Sequence, residues 1–138
     1  MAKAKKKKVI HTVGKRKKAV ARATLREGKG RILINGIPLD IYEPRYARLK
    51  IQEGIVLAGD TAKKVDIDVN VSGGGIFGQA DAIRVAISQA LVKYNKKLRD
   101  IFMNYDRNLL VSDPRRTEPH KPSRSSAGPR RKKQQSKR

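Results

Sequence analysis

Residues 65–72 read VDIDVNVS, and no other stretch confines the fold as tightly. Val65, Ile67, Val69 and Val71 alternate with Asp66, Asp68, Asn70 and Ser72. A period of two puts the aliphatic residues on one face of a strand and the polar ones on the other. The strand therefore belongs to a sheet with one covered face and one wet face. GGG at 73–75 follows at once, and the period then changes. Ile83, Ala86, Ile87, Ala90, Leu91 and Tyr94 fall at i, i+3, i+4, i+7, i+8 and i+11, the apolar stripe of a helix. Asp81, Arg84, Ser88 and Lys93 take the other side. A strand, a glycine turn and a helix in this order predict a helix laid over a sheet.

The flanking segments supply the rest of such a sheet. VIHTV (9–13) reads as a strand, and AVARATL (19–25) as another, with Val20, Arg22 and Thr24 opposite Ala19, Ala21, Ala23 and Leu25. GKG is a turn, and RILIN (31–35) is the expected hairpin partner of 19–25, ended by Asn35-Gly36. Pro44 suits the first turn of a helix, where its missing N–H has no partner to lose. Tyr46, Leu49, Val56 and Leu57 give that helix an apolar side, and Gly59 a stop. Leu98, Ile101 and Phe102 suggest a shorter helix. The expected fold is α/β in the α+β sense: a two-layer sandwich, about four strands packed by helices. No internal repeat is visible.

Charge divides the chain into parts. Lys and Arg number 34 against 12 acids, a net charge of +22. Residues 1–18 carry +9, residues 113–138 carry +8, and the middle, 19–112, only +5. The expected organisation is a basic N-terminal arm at 1–8, a globular domain at 9–112 and an extended basic tail at 113–138. The tail has no Val, Ile, Leu, Phe or Met, and it holds Pro114, Pro119, Pro122 and Pro129. Fixing its backbone alone would cost on the order of 25–50 kcal/mol. Almost no apolar burial offsets that, so the tail is expected to be disordered until it meets an external surface. Extended, it would reach roughly 85 Å. Such an excess of positive charge points to a polyanionic partner. There is no Cys, which removes disulfides and thiolate metal sites. MAKAKKKK is not followed by an apolar segment, so it is not a secretory signal. No apolar run approaches the roughly 18 residues of a membrane span. A soluble interior location without membrane contact is expected.

Several motifs bear on chemistry. GKRKKAVAR (14–22) places Lys15, Arg16, Lys17 and Lys18 in a loop before a strand that adds Arg22, a candidate phosphate-contact cluster. It lacks the G-x-x-x-x-G-K-[ST] spacing of a nucleotide-binding P-loop. SGGGIFGQ (72–79) satisfies G-x-G-x-x-G after a strand and before a helix. No strand follows that helix, so the dinucleotide-binding unit is incomplete. Gly73, Gly74 and Gly75 are read instead as a turn that lets backbone approach RNA phosphates. DIDVN (66–70) resembles the start of a calcium loop, but Val71 and Phe77 stand where glycine and glutamate are needed. Asp66 and Asp68 are read as the wet face of the strand. His11 and His120 have no acidic or thiol companions, and no nucleophile–base pair is evident. No enzyme activity, metal or cofactor is expected.

GKRKKAVAR, SGGGIFGQADAIRVAISQAL and the closing SKR together resemble the ribosomal protein S-nine family, the ninth protein of the small subunit. The resemblance covers nearly the whole chain, and DPRRTEPHKP (113–122) is more similar to the archaeal and eukaryotic branch. It implies a fold like the second domain of ribosomal protein S-five, with a left-handed crossover, an exception to the usual handedness. It implies a structural role in the head of the small subunit of the cytoplasmic ribosome. The implied partners are small-subunit rRNA, P-site tRNA and neighbouring head proteins, with no homo-oligomer. Lys15 to Lys18, Arg22, Gly73 to Gly75, Arg115, Arg116, Arg124, Arg130, Arg131, Lys132 and Lys133 are the expected rRNA contacts. Ser136, Lys137 and Arg138 match the family's tail tip, which reaches the anticodon stem-loop. Gln89 stands where the family commonly carries a basic residue.

Charge alone fits a DNA-compacting protein equally well. The middle argues against it, because no helix there is basic along one face and no groove-reading ribbon is evident.

Overall fold

The computed structural model describes residues 7–117 and 119. The expected sheet is present with one strand more than anticipated. β1 (Ile10–Arg16), β2 (Ala19–Glu27), β3 (Ile32–Ile34), β4 (Ile37–Pro38) and β5 (Val65–Ser72) form one mixed sheet in the order β1-β2-β5-β3-β4. Helices α1 (Arg45–Ala58), α2 (Ile76–Tyr94) and α3 (Leu98–Tyr105) complete the architecture, with short 3-10 turns at 39–41, 59–64 and 107–109.

The alternation of β5 is realised. Val65, Ile67, Val69 and Val71 are buried together with Ala19, Ala21, Ala23 and Leu25 of β2. The opposite face, with His11, Lys15, Arg22, Asp68 and Asn70, is open to solvent. α2 lies across β1, β2 and β5, and α1 packs on α2.

Strand pairing differs from the sequence expectation. β3 is not the hairpin partner of β2. β5 inserts between them, antiparallel to β2 and parallel to β3, with Ala23 and Ile34 both opposite Val69. The most strictly alternating strand thus takes the centre, where both of its edges are paired. The loop from β2 to β3 crosses the start of β5 and is pinned there. Gly28 N–H donates to Lys64 O at 2.9 Å. Lys29 N–H and Arg31 N–H donate to Asp66 Oδ1 at 2.9 and 3.0 Å. These bonds, Arg31's first, hold the Asp66 carboxyl below its ordinary range. Asn35-Gly36 turns β3 into the additional strand β4, both residues at positive φ as such a two-residue turn requires.

The helix faces need two corrections. Pro44 precedes α1 rather than opening its first turn, and the buried residues of α1 are Ala47, Ile51, Gly54 and Ala58. Tyr46, Leu49 and Val56, expected to face the core, are exposed. α1 approaches α2 through small residues, since an added Cβ at Gly54 would stand 2.7 Å from Ser88 Oγ. For the same reason Ser88 is fully buried rather than on a wet side. Its hydroxyl donates to Arg84 O at 2.8 Å. Arg84, also expected outside, is covered and pairs with Glu53 at 2.7 Å and Asp106 at 3.0 Å.

β1 meets α2 backbone to backbone. A Cβ at Gly14 would fall well inside contact distance of Ala82 O and 2.7 Å from Ala86 N. Thr12 Oγ1 donates to Ala86 O at 2.7 Å across the same crossing.

Candidate nucleic-acid interface

β1 runs on to Arg16, so Lys15 and Arg16 belong to a strand rather than the expected loop. The loop is only Lys17-Lys18, a two-residue turn with Arg16 opposite Ala19. Lys17 has φ 54°. A residue with a Cβ in this region bears strain of roughly 1–2 kcal/mol. Strain of this kind concentrates at functional positions. Here it sets a lysine, where glycine or asparagine would rest more easily, at the tip of the hairpin.

The triglycine loop closes against that tip. Gly73 and Gly74 have φ 76° and 66°. A Cβ on Gly73 would stand 2.5 Å from Lys18 O, and one on Gly74 3.1 Å from Ala19 N. Gln79 Nε2 donates to Gly73 O at 3.1 Å and holds the loop to the first turn of α2.

The chain leaves the domain beside the same hairpin. Gln89 Nε2 donates to Leu110 O at 2.8 Å, so this residue is committed to holding the exit segment. Asp113 then binds Arg16 NH1 at 3.2 Å. Its carboxylate also accepts from Arg115 Nε and NH2 at 2.9 and 2.6 Å, and its Oδ1 accepts from Arg115 N–H at 2.9 Å. The Arg115 guanidinium beside it, then the Arg115 N–H, hold the Asp113 carboxyl far below the usual carboxylate range. Arg116 NH1 donates to Lys17 O at 3.2 Å. The chain is thus held against the domain at Asp113, Arg115 and Arg116.

Charges here divide into two groups. Arg16, with 14 % of its side chain exposed, lies between Asp81 at 3.6 Å and Asp113. Lys50 Nζ meets the other oxygen of Asp81 at 2.6 Å. These groups line a cleft of about 200 Å³. Lys15, Lys17, Lys18 and Arg116 form no ion pair among the described residues. They present uncompensated positive charge at one end of the sheet.

The structure therefore brings Lys15 to Lys18, Gly73 to Gly75, Arg115 and Arg116 to one end of the domain. Arg22 sits on the same open sheet face as Lys15, between Val13 and Asn70 and one same-face pair further from the turn. Arg124, Arg130, Arg131, Lys132, Lys133, Ser136, Lys137 and Arg138 lie outside the described residues, as does most of the expected tail. The sequence reading missed Asp81, Lys50 and Asp113. Asp113-Pro114-Arg115 did carry a signal, because an aspartate commonly accepts from the N–H two residues on. No group of His, Cys, Asp and Glu suited to a metal occurs among the described residues. No helix among them is long and apolar enough to cross a membrane.

The family model described as ribosomal protein S9/S16 matches residues 14–138, which include the Lys17-Lys18 turn, the triglycine loop and the terminal Ser-Lys-Arg. The chain is 54 % identical over 131 residues to the small ribosomal subunit protein uS9 of Methanococcus maripaludis, covering 94 % of this chain and 98 % of that protein. It is 53 % identical over 131 residues to uS9 of Methanococcus vannielii, with the same coverage. A basic hairpin closed on a triglycine loop, in a chain alike over this length, has one consistent reading: the protein belongs to the ribosomal protein S9/S16 family.

Proposed function

We propose that the chain is a non-enzymatic structural constituent of the small subunit of the cytoplasmic ribosome. It binds rRNA in the subunit head through the hairpin end of the domain. The observation that carries this reading is the convergence of the strained Lys17 turn, the triglycine loop and the Arg115–Arg116 exit segment. Lys15, Lys17, Lys18 and Arg116 neutralise phosphates and release counterions, while Gly73 and Gly74 let the loop close on the hairpin and Gly75 leaves room for the RNA backbone. Four such contacts on single-stranded RNA give log K a slope of about −3 against log salt. Asp81 and Asp113 hold Arg16, and through it the direction in which the chain leaves the domain.

The arms, before residue 9 and after residue 112, extend the same electrostatics. Arg124, Arg130, Arg131, Lys132 and Lys133 meet rRNA, and Ser136, Lys137 and Arg138 reach P-site tRNA. Neighbouring head proteins complete the surroundings. The crossover from β3 through α1 to β5 is left-handed, as in the second domain of ribosomal protein S-five. Family membership supports this reading, as does the excess of +22.

Full-length chain is expected to co-sediment with small subunits through high-salt sucrose; its release would contradict the structural role. Subunits reconstituted with a chain lacking residues 136–138 should assemble normally and bind P-site tRNA more weakly. Equal tRNA affinity would remove the proposed role of the tip and leave the rest standing.

A further inference from the structure

Tyr46 and Phe77 stack on one another across the seam between α1 and α2, with ring centroids 4.7 Å apart and planes inclined by 22°. Both remain open to solvent, Tyr46 at 48 % and Phe77 at 62 %. The chain has only 2 Phe and 4 Tyr and no Trp, so two of its few aromatic rings are spent on an exposed stack. Each ring leaves apolar area uncovered that a partner could bury.

The stack is fixed relative to the basic end. One helical turn further along both helices, Lys50 meets Asp81, and Asp81 also holds Arg16. Gly78, next to Phe77, lies so close to the hairpin that an added Cβ would stand 3.7 Å from Arg16 O. A Cβ on Gly75 would meet nothing within 4 Å, so the approach from the triglycine loop is unobstructed. The rings thus adjoin the basic end of the domain, between the Lys50–Asp81–Arg16 ion pairs and a loop with no side chains. That setting favours nucleic acid over an apolar protein segment. An aromatic face accepts any unpaired base, and RNA is recognised largely through such splayed bases.

We propose that the Tyr46–Phe77 pair is a stacking platform for an unpaired base of the RNA held by the basic end. The inference rests on the rRNA-binding reading and adds an uncharged contact to it. Binding of full-length chain to a small-subunit rRNA transcript tests it, measured across a salt series. Phe77→Ala and Phe77→Leu should each weaken binding about 5- to 150-fold. Neither should change the salt slope, because no phosphate contact is lost. Phe77→Trp should bind as well as the unaltered chain. Irradiation at short ultraviolet wavelength should attach a nucleotide to the peptide containing Phe77. The platform is refuted if Phe77→Ala binds unchanged, if Phe77→Leu binds like the parent, or if the loss comes with a shallower slope. Unchanged rRNA affinity with reduced incorporation into subunits would assign the rings to a protein neighbour and refute it too. If the parent chain fails to bind the transcript, the rRNA-binding reading falls first, an outcome distinct from all of these.

Discussion

Gly14 is the position where one methyl group should do most harm. β1 crosses α2 there so closely that a Cβ would meet two backbone atoms, Ala82 O and Ala86 N. Neither is the end of a flexible side chain. Restoring ordinary contact requires strand and helix to part by about 1.5 Å. Overpacking of this kind costs typically 1–3 kcal/mol, and the rigid partners place Gly14→Ala at the upper end. The same displacement stretches the buried hydrogen bond from Thr12 to Ala86 O, adding about 1 kcal/mol. A loss near 3 kcal/mol or more lowers Tm by about 12–24 °C in a domain of this size. Thermal unfolding of purified Gly14→Ala, followed by circular dichroism, measures it. A Tm within about 3 °C of the parent would show that the crossing yields easily and that this account of its rigidity is mistaken. Because β1 leads directly to the Lys17-Lys18 turn, the variant should also bind rRNA more weakly at temperatures where it remains folded.

Other substitutions separate the remaining contributions. Gly54→Ala meets only the Ser88 hydroxyl, a side chain able to rotate, so its cost should be about 1 kcal/mol, clearly below that of Gly14→Ala. Thr12→Val keeps shape and removes the donor to Ala86 O, which should cost about 1 kcal/mol by urea denaturation. Asp113 has a depressed carboxyl pKa in the folded protein, so its hold on Arg115 is complete above the ordinary carboxylate value near 3.9 and lost only as pH falls through the lower folded value. The Arg115 Nε–H resonance should therefore stay unchanged from neutral pH down to about pH 4, whereas Asp113→Asn should shift it at neutral pH. A wild-type shift between pH 7 and pH 5 would contradict the pairing.

The parts legible in the sequence were those governed by local pattern. The alternation in 65–72 and the stripe from Ile83 to Tyr94 fixed the central strand and the long helix, because burial on one face repeats with the period of the backbone. The basic cluster and the triglycine turn were visible as motifs. Partner choice is not visible in the pattern: RILIN reads as the hairpin mate of 19–25, whereas β5 takes that place and its Asp66 ties down the 28–31 loop. The α1 face is hard to read because Ile51 is its one large buried residue beside Ala47, Gly54 and Ala58, which carry little hydrophobic signal, while Tyr46, Leu49 and Val56 point outward. Arg16 looked like one cation among several. The acids that hold it, Asp81 and Asp113, lie far away along the chain, and only the folded topology brings them together.

A matched-charge comparison tests most directly whether the hairpin end binds RNA. Lys17, Lys18 and Arg116 are changed to Gln in one variant, and Lys93, Lys96 and Lys97 in another. The second group begins in the last turn of α2, which spans 19 residues, and so lies roughly 28 Å from the triglycine loop. Both variants lose the same formal charge. Affinity for small-subunit rRNA across a salt series should fall sharply for the first, with its slope reduced by about 2, and stay near the parent for the second. Equal losses in the two variants would mean that net charge alone drives binding, and the site described here would not exist.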